Sequence, residues 1–294
     1  MNANSRTISM QDGRVIRVVE AGQMDGIPVL VHTGTPGSRL LYHGWIEDAE
    51  ARGIRLISYD RPGYGGSTPR MGRTVASAAE DVAAIAKELG LDRLLVWGIS
   101  GGGPHALACA ALLPDLVVAA AALASPAPYD ADGLDWFAGM GEDNVVEFSA
   151  ALNGREGLEQ FVEAVAPGLL SADTESLIQV WSSVLSPIDV EVLTEDIAEW
   201  MLNSSREGSK ERTDGWIDDD VAYTTPWGFE LSQIRIPVMV MQGEHDRFVP
   251  YSHGKWLASK VPNVDARLSA DDGHISLGVR RIPEVHAWLL SKMV

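Results

Sequence analysis

Four short segments, residues 27–31, 54–59, 94–97 and 117–123, are apolar along most of their length instead of alternating, and stretches of helical periodicity at 39–51, 75–89 and 101–113 separate them. A strand that is apolar on both sides has no face to offer water, so such runs belong in a parallel sheet covered by helices on both faces. Two β-rich segments, 7–10 and 15–20, precede them. After residue 128 the rhythm stops, and only helical patterns follow, at 158–165, 176–185 and 191–202. It resumes with a strand at 236–242, a helix at 253–261, a short strand around 265–268 and a last helix at 283–293. The expected architecture is α/β: a mostly parallel eight-stranded sheet with helices on both faces, built from residues 1–127 and 233–294. Residues 128–232 are expected to form an inserted, mainly helical cap.

Composition narrows the partners. Of 294 residues, 41 are Asp or Glu and 23 are Lys or Arg, a net charge of −18, which repels phosphate backbones and anionic lipid surfaces. Nucleic acid and membranes are therefore not expected as partners. The longest apolar run, residues 116–128, has 13 residues, short of the roughly 20 of a membrane helix. Cys109 has no second cysteine to pair with, and residues 1–6 carry no apolar signal segment, so a reducing, cytoplasmic setting is expected. Cys109 reads as a small buried apolar residue. The charge is uneven: residues 128–232 hold 23 of the acids and 4 of the bases. Within them, Asp218, Asp219 and Asp220 read as a solvated face, and a negative cap would also attract a cationic substrate. Five of the nine tryptophans, Trp136, Trp181, Trp200, Trp216 and Trp227, lie in the same segment and are expected chiefly to pack it.

The strongest local signal is Gly98-Ile99-Ser100-Gly101-Gly102, set directly between the strand at 94–97 and the helix at 101–113. A strand-to-helix turn this tight strains the central residue, so the positions two before and two after it must be small. Ser100 would then stand at the carboxyl edge of the sheet, where open α/β folds bind ligands, beside the unpaired amides of a helix start. Strand, turn and helix together make a nucleophile elbow. On these residues the chain resembles the α/β-hydrolase fold superfamily, serine esterase-like with a helical cap.

The other stations are similar to that family's pattern. His32-Thr33-Gly34-Thr35-Pro36-Gly37 resembles its His-Gly-x-Pro-Gly turn, with Thr33 where a histidine is usual. The resemblance implies an oxyanion hole made by the backbone N–H groups of Thr35 and Gly101. Asp60 through Ser67 resembles the loop after the fourth strand, and Asp60 is read as holding that loop rather than as a catalyst. A serine needs a base, itself oriented by a carboxylate. Gln242 through Pro250 resembles the family's acid loop and implies Asp246; Gly273-His274-Ile275-Ser276, placed in a polar loop, matches its Gly-His station and implies His274 as the base. Glu244 is the fallback acid and His245 the rival base. His32 sits in the oxyanion turn, His105 one helical turn past Ser100, and His43, His253 and His286 lie in expected helices. No His/Cys cluster has metal-ligand spacing, so neither metal nor cofactor is implied.

Within the superfamily, haloalkane dehalogenases and epoxide hydrolases place Asp at the elbow, where this chain has Ser100. Carbon–carbon hydrolases commonly carry an aromatic after the catalytic histidine, here Ile275, and perhydrolases a methionine after the serine, here Gly101. The resemblance leaves hydrolysis of a small-molecule carboxylic ester or lactone through an acyl-enzyme, with a bulky amine-bearing natural product or antibiotic among the candidate substrates. A proline-type aminopeptidase is the alternative, although Thr35 and Gly101 depart from its pattern. A non-catalytic ligand-binding receptor of the same fold is the third reading.

Overall fold

The computed structural model describes residues 4–293; Met1, Asn2 and Ala3, part of the segment read above for a signal, and Val294 lie outside the described residues. The strands are β1 (Asn4–Ser9), β2 (Val15–Gly22), β3 (Ile27–His32), β4 (Ile54–Tyr59), β5 (Leu94–Ile99), β6 (Val117–Leu123), β7 (Val238–Gly243) and β8 (Val264–Ser269). They form one eight-stranded sheet in the order β1-β2-β4-β3-β5-β6-β7-β8. Neighbours among β3 to β8 run parallel, while β1 pairs antiparallel with β2 and β2 with β4. This is the α/β, mostly parallel architecture that the apolar runs demand.

The helices are α1 (His43–Ala51), α2 (Ser77–Glu88), α3 (Gly102–Leu112), α4 (Glu142–Leu152), α5 (Arg155–Ser171), α6 (Thr174–Val180), α7 (Pro187–Val192), α8 (Glu195–Ser209), α9 (Asp214–Thr224), α10 (Tyr251–Lys260), α11 (His274–Arg280) and α12 (Ile282–Leu290). Trp45 of α1 and Val285 of α12 pack on Val29, Val31 and Trp97 at one face of the sheet. Val82 and Ile85 of α2 and Cys109 of α3 pack on Leu30, Ile57 and Val96 at the other. Successive strand residues thus serve opposite cores, which is why the central strands carry apolar residues without alternation. The edge strand β1 is exposed along most of its length.

Between β6 and β7 the chain lays down α4 to α9; all but α7 contribute to an apolar cluster that includes Leu158, Val162, Leu177, Leu202 and Trp216, joined by Tyr64 from the loop after β4. The periodicity predicts three helices here, and six are found. One predicted helix, 191–202, is two: α7 and α8 are separated by Leu193 and Thr194. α9 escapes an amphipathic pattern because its acids face inward. The reading of Asp218, Asp219 and Asp220 as a solvated face is corrected: they are 3%, 0% and 1% exposed. Arginines from outside the run, Arg61, Arg73 and Arg155, meet Asp218 and Asp219 there, and a buried charge requires such a partner. The loop expected around His274 is likewise a helix, α11, with His274 as its first residue. Among the described residues, no helix is long and apolar enough to cross a membrane.

Candidate active site

β3 and β5 are neighbours in register, with His32 opposite Gly98, so both end at the same edge of the sheet. From β3 the chain passes to β4 on one side and then to β5 on the other, leaving a crevice at the carboxyl ends of the strands. The turn after β3 and Ser100 after β5 both face that crevice. Ser100 has φ +56°, the left-handed region that L-residues rarely enter. A Cβ on Gly98 would lie 2.1 Å from the Gly102 carbonyl oxygen, and one on Gly102 would lie 2.0 Å from that of His32. The two flanking glycines are therefore steric requirements. The turn is tied down by Ser100 N–H donating to the Leu123 carbonyl at 2.9 Å and Gly103 N–H donating to the Ser100 carbonyl at 2.9 Å.

Asp246 follows β7 and His274 opens α11, and their side chains meet with His274 Nδ1 2.8 Å from Asp246 Oδ2. Asp246 also accepts from the Val249 N–H at 2.8 Å and from Gln242 Nε2 at 2.9 Å. Phe248 stacks on the imidazole with ring centres 4.5 Å apart. A second carboxylate arrives from the intervening helices: Asp189 of α7 accepts from the backbone N–H of His274 at 3.2 Å and of Ser276 at 2.9 Å, and is itself held by Ser186 Oγ at 2.7 Å. It satisfies orphan amides at the start of α11, the helix that carries His274. Burial alone would lower the His274 pKa. The Asp246 carboxylate and its hydrogen bond, with Asp189 behind them, outweigh burial and hold it above the ordinary imidazole value. Burial raises the Asp246 pKa, against the opposing pull of His274.

Ser100, His274 and Thr35 line one cavity of about 120 Å³. Ser100 and Thr35 also line a second, of about 440 Å³, together with Gly101 and Tyr223. Glu244 and His245, the fallback acid and rival base, are exposed and line neither. His105 reaches the Asp219 carboxylate at 3.4 Å, and His286 pairs with Asp48 at 2.7 Å, a partner that its place in a helix does not reveal. Asp60 accepts from the Arg39 N–H at 2.7 Å and from its Nη1 at 2.6 Å, holding the loop after β3. Among the described residues, no group of three His, Cys, Asp or Glu is placed to hold a metal ion.

The turn after β3 is held from beneath by a buried ionic cluster. Arg61 donates to the carbonyls of Thr33 at 2.7 Å and Gly34 at 3.0 Å. Asp219 of α9 binds Arg61 at 2.6 Å, Arg73 at 2.6 Å, Tyr64 Oη at 2.9 Å and Thr35 Oγ1 at 2.8 Å. Tyr223, one turn further along α9, donates from Oη to the Gly101 carbonyl at 2.8 Å and lies 2.9 Å from Thr35 Oγ1. Both candidate oxyanion residues are thus fixed by α9. Burial disfavours the Asp219 charge, but the two guanidiniums and His105 hold its pKa well below the usual carboxylate range. No sequence motif assigns Asp219, Tyr223 or Asp189 to the site, and Phe248 lies in the acid loop, Gln242 through Pro250, without being singled out there. Only the acidic run around Asp219 gives any signal, and its pattern suggests solvent.

A family model described as alpha/beta hydrolase fold matches residues 27–280. A 2-hydroxy-6-oxononadienedioate/2-hydroxy-6-oxononatrienedioate hydrolase from Cupriavidus pinatubonensis is 25% identical over 288 residues, 92% of this chain and 89% of that protein. A bifunctional esterase/perhydrolase from Acinetobacter calcoaceticus is 26% identical over 268 residues, 87% of this chain and 88% of that protein. Among solved structures, a thermophilic esterase from Thermogutta terrifontis superposes with a TM-score of 0.69 at 20% identity, covering 99% of this chain and 100% of that one.

Proposed function

The chain belongs to the alpha/beta hydrolase fold family, and from that premise we propose that it is a serine hydrolase of carboxylic esters or lactones, acting in the cytoplasm. Ser100 is the nucleophile, His274 the base, Asp246 the acid that orients it, and residues 128–232 the cap over them. One observation carries the reading: a serine held at φ +56° between two obligatory glycines opens into a cavity that also holds a histidine paired with a buried aspartate.

In this mechanism His274 takes the Ser100 proton as Oγ attacks the ester carbonyl. The N–H groups of Thr35 and Gly101 stabilise the oxyanion. His274 then passes the proton to the departing alcohol, leaving an acyl-enzyme, and water repeats the sequence to release the acid. Asp246 stabilises the imidazolium formed on the way. No step requires a metal or cofactor. The name of the Cupriavidus relative denotes a dicarboxylate substrate. Among the described residues lining the two cavities here, none is Lys or Arg, so a doubly anionic substrate would find no cationic partner. Ile275 after His274 also departs from the carbon–carbon hydrolase pattern.

A fluorophosphonate probe should label the purified protein on the peptide containing Ser100, and p-nitrophenyl esters should be turned over. Ser100→Ala should abolish labelling and cut turnover by about a thousandfold or more. Turnover of proline naphthylamide but of no ester would support the aminopeptidase instead. Neither labelling nor turnover would leave a ligand-binding receptor.

A further inference from the structure

The two cavities that meet at Ser100 are chemically unequal. When a tetrahedral intermediate breaks down, the leaving oxygen takes its proton from the histidine, so the leaving group lies on the histidine's side and the acyl chain on the other. His274 lines the smaller cavity, of about 120 Å³, and not the larger. The larger, of about 440 Å³, falls within the range of about 300–1,000 Å³ typical of small-molecule sites. Its walls are mainly apolar, with Met140, Phe148, Phe161 and Leu169 among them.

Three carboxyl groups interrupt that surface: Asp143 of α4, which is exposed and accepts from Ser183 Oγ at 2.6 Å, and the pair Glu147 of α4 and Asp220 of α9. Glu147 accepts a hydrogen bond from Trp216 Nε1. Asp220 is 1% exposed, and its Oδ2 has no hydrogen-bond partner. Burial pushes both carboxyls above their ordinary values, and the neighbouring Glu147 pushes Asp220 further. Neighbouring carboxylates without a counter-ion repel one another, and a cation bound between them would relieve that repulsion. No Lys or Arg among the described lining residues supplies that cation.

We propose that the larger cavity is the acyl subsite and that it takes an acyl chain ending in an ammonium group, which Glu147 and Asp220 bind. The inference rests on the serine-hydrolase reading for which side of Ser100 each cavity serves. It narrows the substrate to a small-alcohol ester of a long amino acid.

The test compares two isosteric pairs on the wild-type enzyme. Methyl 8-aminooctanoate is set against methyl nonanoate, and 8-aminooctyl acetate against nonyl acetate. In the first pair the amine should raise kcat/KM at least tenfold; in the second it should not. A preference confined to the acetates would overturn the acyl assignment, and no preference in either pair would overturn the proposal. In Glu147→Gln the ratio for the first pair should fall toward unity; a ratio still tenfold or more would remove Glu147 from the site. Each ratio is taken within one protein, so the folded fraction cancels. If neither pair is hydrolysed, the esterase reading fails separately, and calorimetry of octylammonium against octanol then tests the cavity alone. Binding of the cation at least tenfold tighter would uphold the cation subsite, and equal binding would overturn it.

Discussion

At the scale of single residues, the elbow shows why some motifs are legible in the chain alone. Gly98 and Gly102 are required by atoms within the same turn and the adjoining strand, so the sequence signal and the steric cause coincide. Gly102→Ala would drive a Cβ to 2.0 Å from the His32 carbonyl oxygen; overpacking of this kind costs about 1–3 kcal/mol, which should appear as a lower urea midpoint. Asp189 is the opposite case, because its partners His274 and Ser276 lie far along the chain, and its own neighbourhood, a capping box with Ser186, marks only the start of α7. Its charge is one of those that raise the His274 pKa above 6.5. In the proposed mechanism only the neutral imidazole can accept the Ser100 proton, so kcat/KM should rise with pH through a value above 6.5. Asp189→Asn keeps an acceptor at the start of α11 and removes the charge, so the acid limb should move to lower pH. An unmoved limb would mean that Asp189 only holds the backbone.

At the scale of elements, helix α9 is where pattern reading and structure part. Three consecutive acids have no apolar stripe to mark a buried face, and a charge run on its own predicts water. What reverses the sign is Arg61 after β4 and Arg73 before α2, which the sheet topology carries to the same place. Removing one member of such a cluster leaves the others buried and uncompensated, so Asp219→Asn should cost about 3–5 kcal/mol, visible in thermal melts at neutral pH. The Asp219 pKa is depressed on folding. Its contribution is therefore present above the unfolded value near 3.8 and lost as pH falls through the folded value. The gap between wild type and variant should narrow at acid pH; a constant gap would mean that the aspartate acts through shape alone. Because Asp219 and Tyr223 hold Thr35 and Gly101, the same variant should also lower kcat more than it raises KM.

At the scale of the whole molecule, the charge excess divides into two populations. Asp218, Asp219 and Asp220 are buried and add little to the field outside, whereas Glu142, Glu163, Glu195 and Glu199 are exposed. Any steering of cationic esters falls to the exposed set. The Debye length shrinks from about 30 Å at 0.01 M salt to about 10 Å at 0.1 M, so over that range kcat/KM for a cationic ester should fall while a matched neutral ester holds steady. Equal slopes would remove long-range steering and leave recognition to the cavity.

The sequence by itself determined the α/β sheet, because strands buried on both faces must be apolar throughout, and it pointed to Ser100, because a strained turn admits few residues around it. In the sequence Asp246 and His274 rest on family likeness, and their 2.8 Å approach depends on β7 and α11 being brought to one edge of the sheet. Whether an acidic residue faces water, an arginine or a cavity was decided only by the tertiary structure. Charge carries no periodicity, and a carboxylate is given its role by partners remote in the chain, as Asp219 is by Arg61.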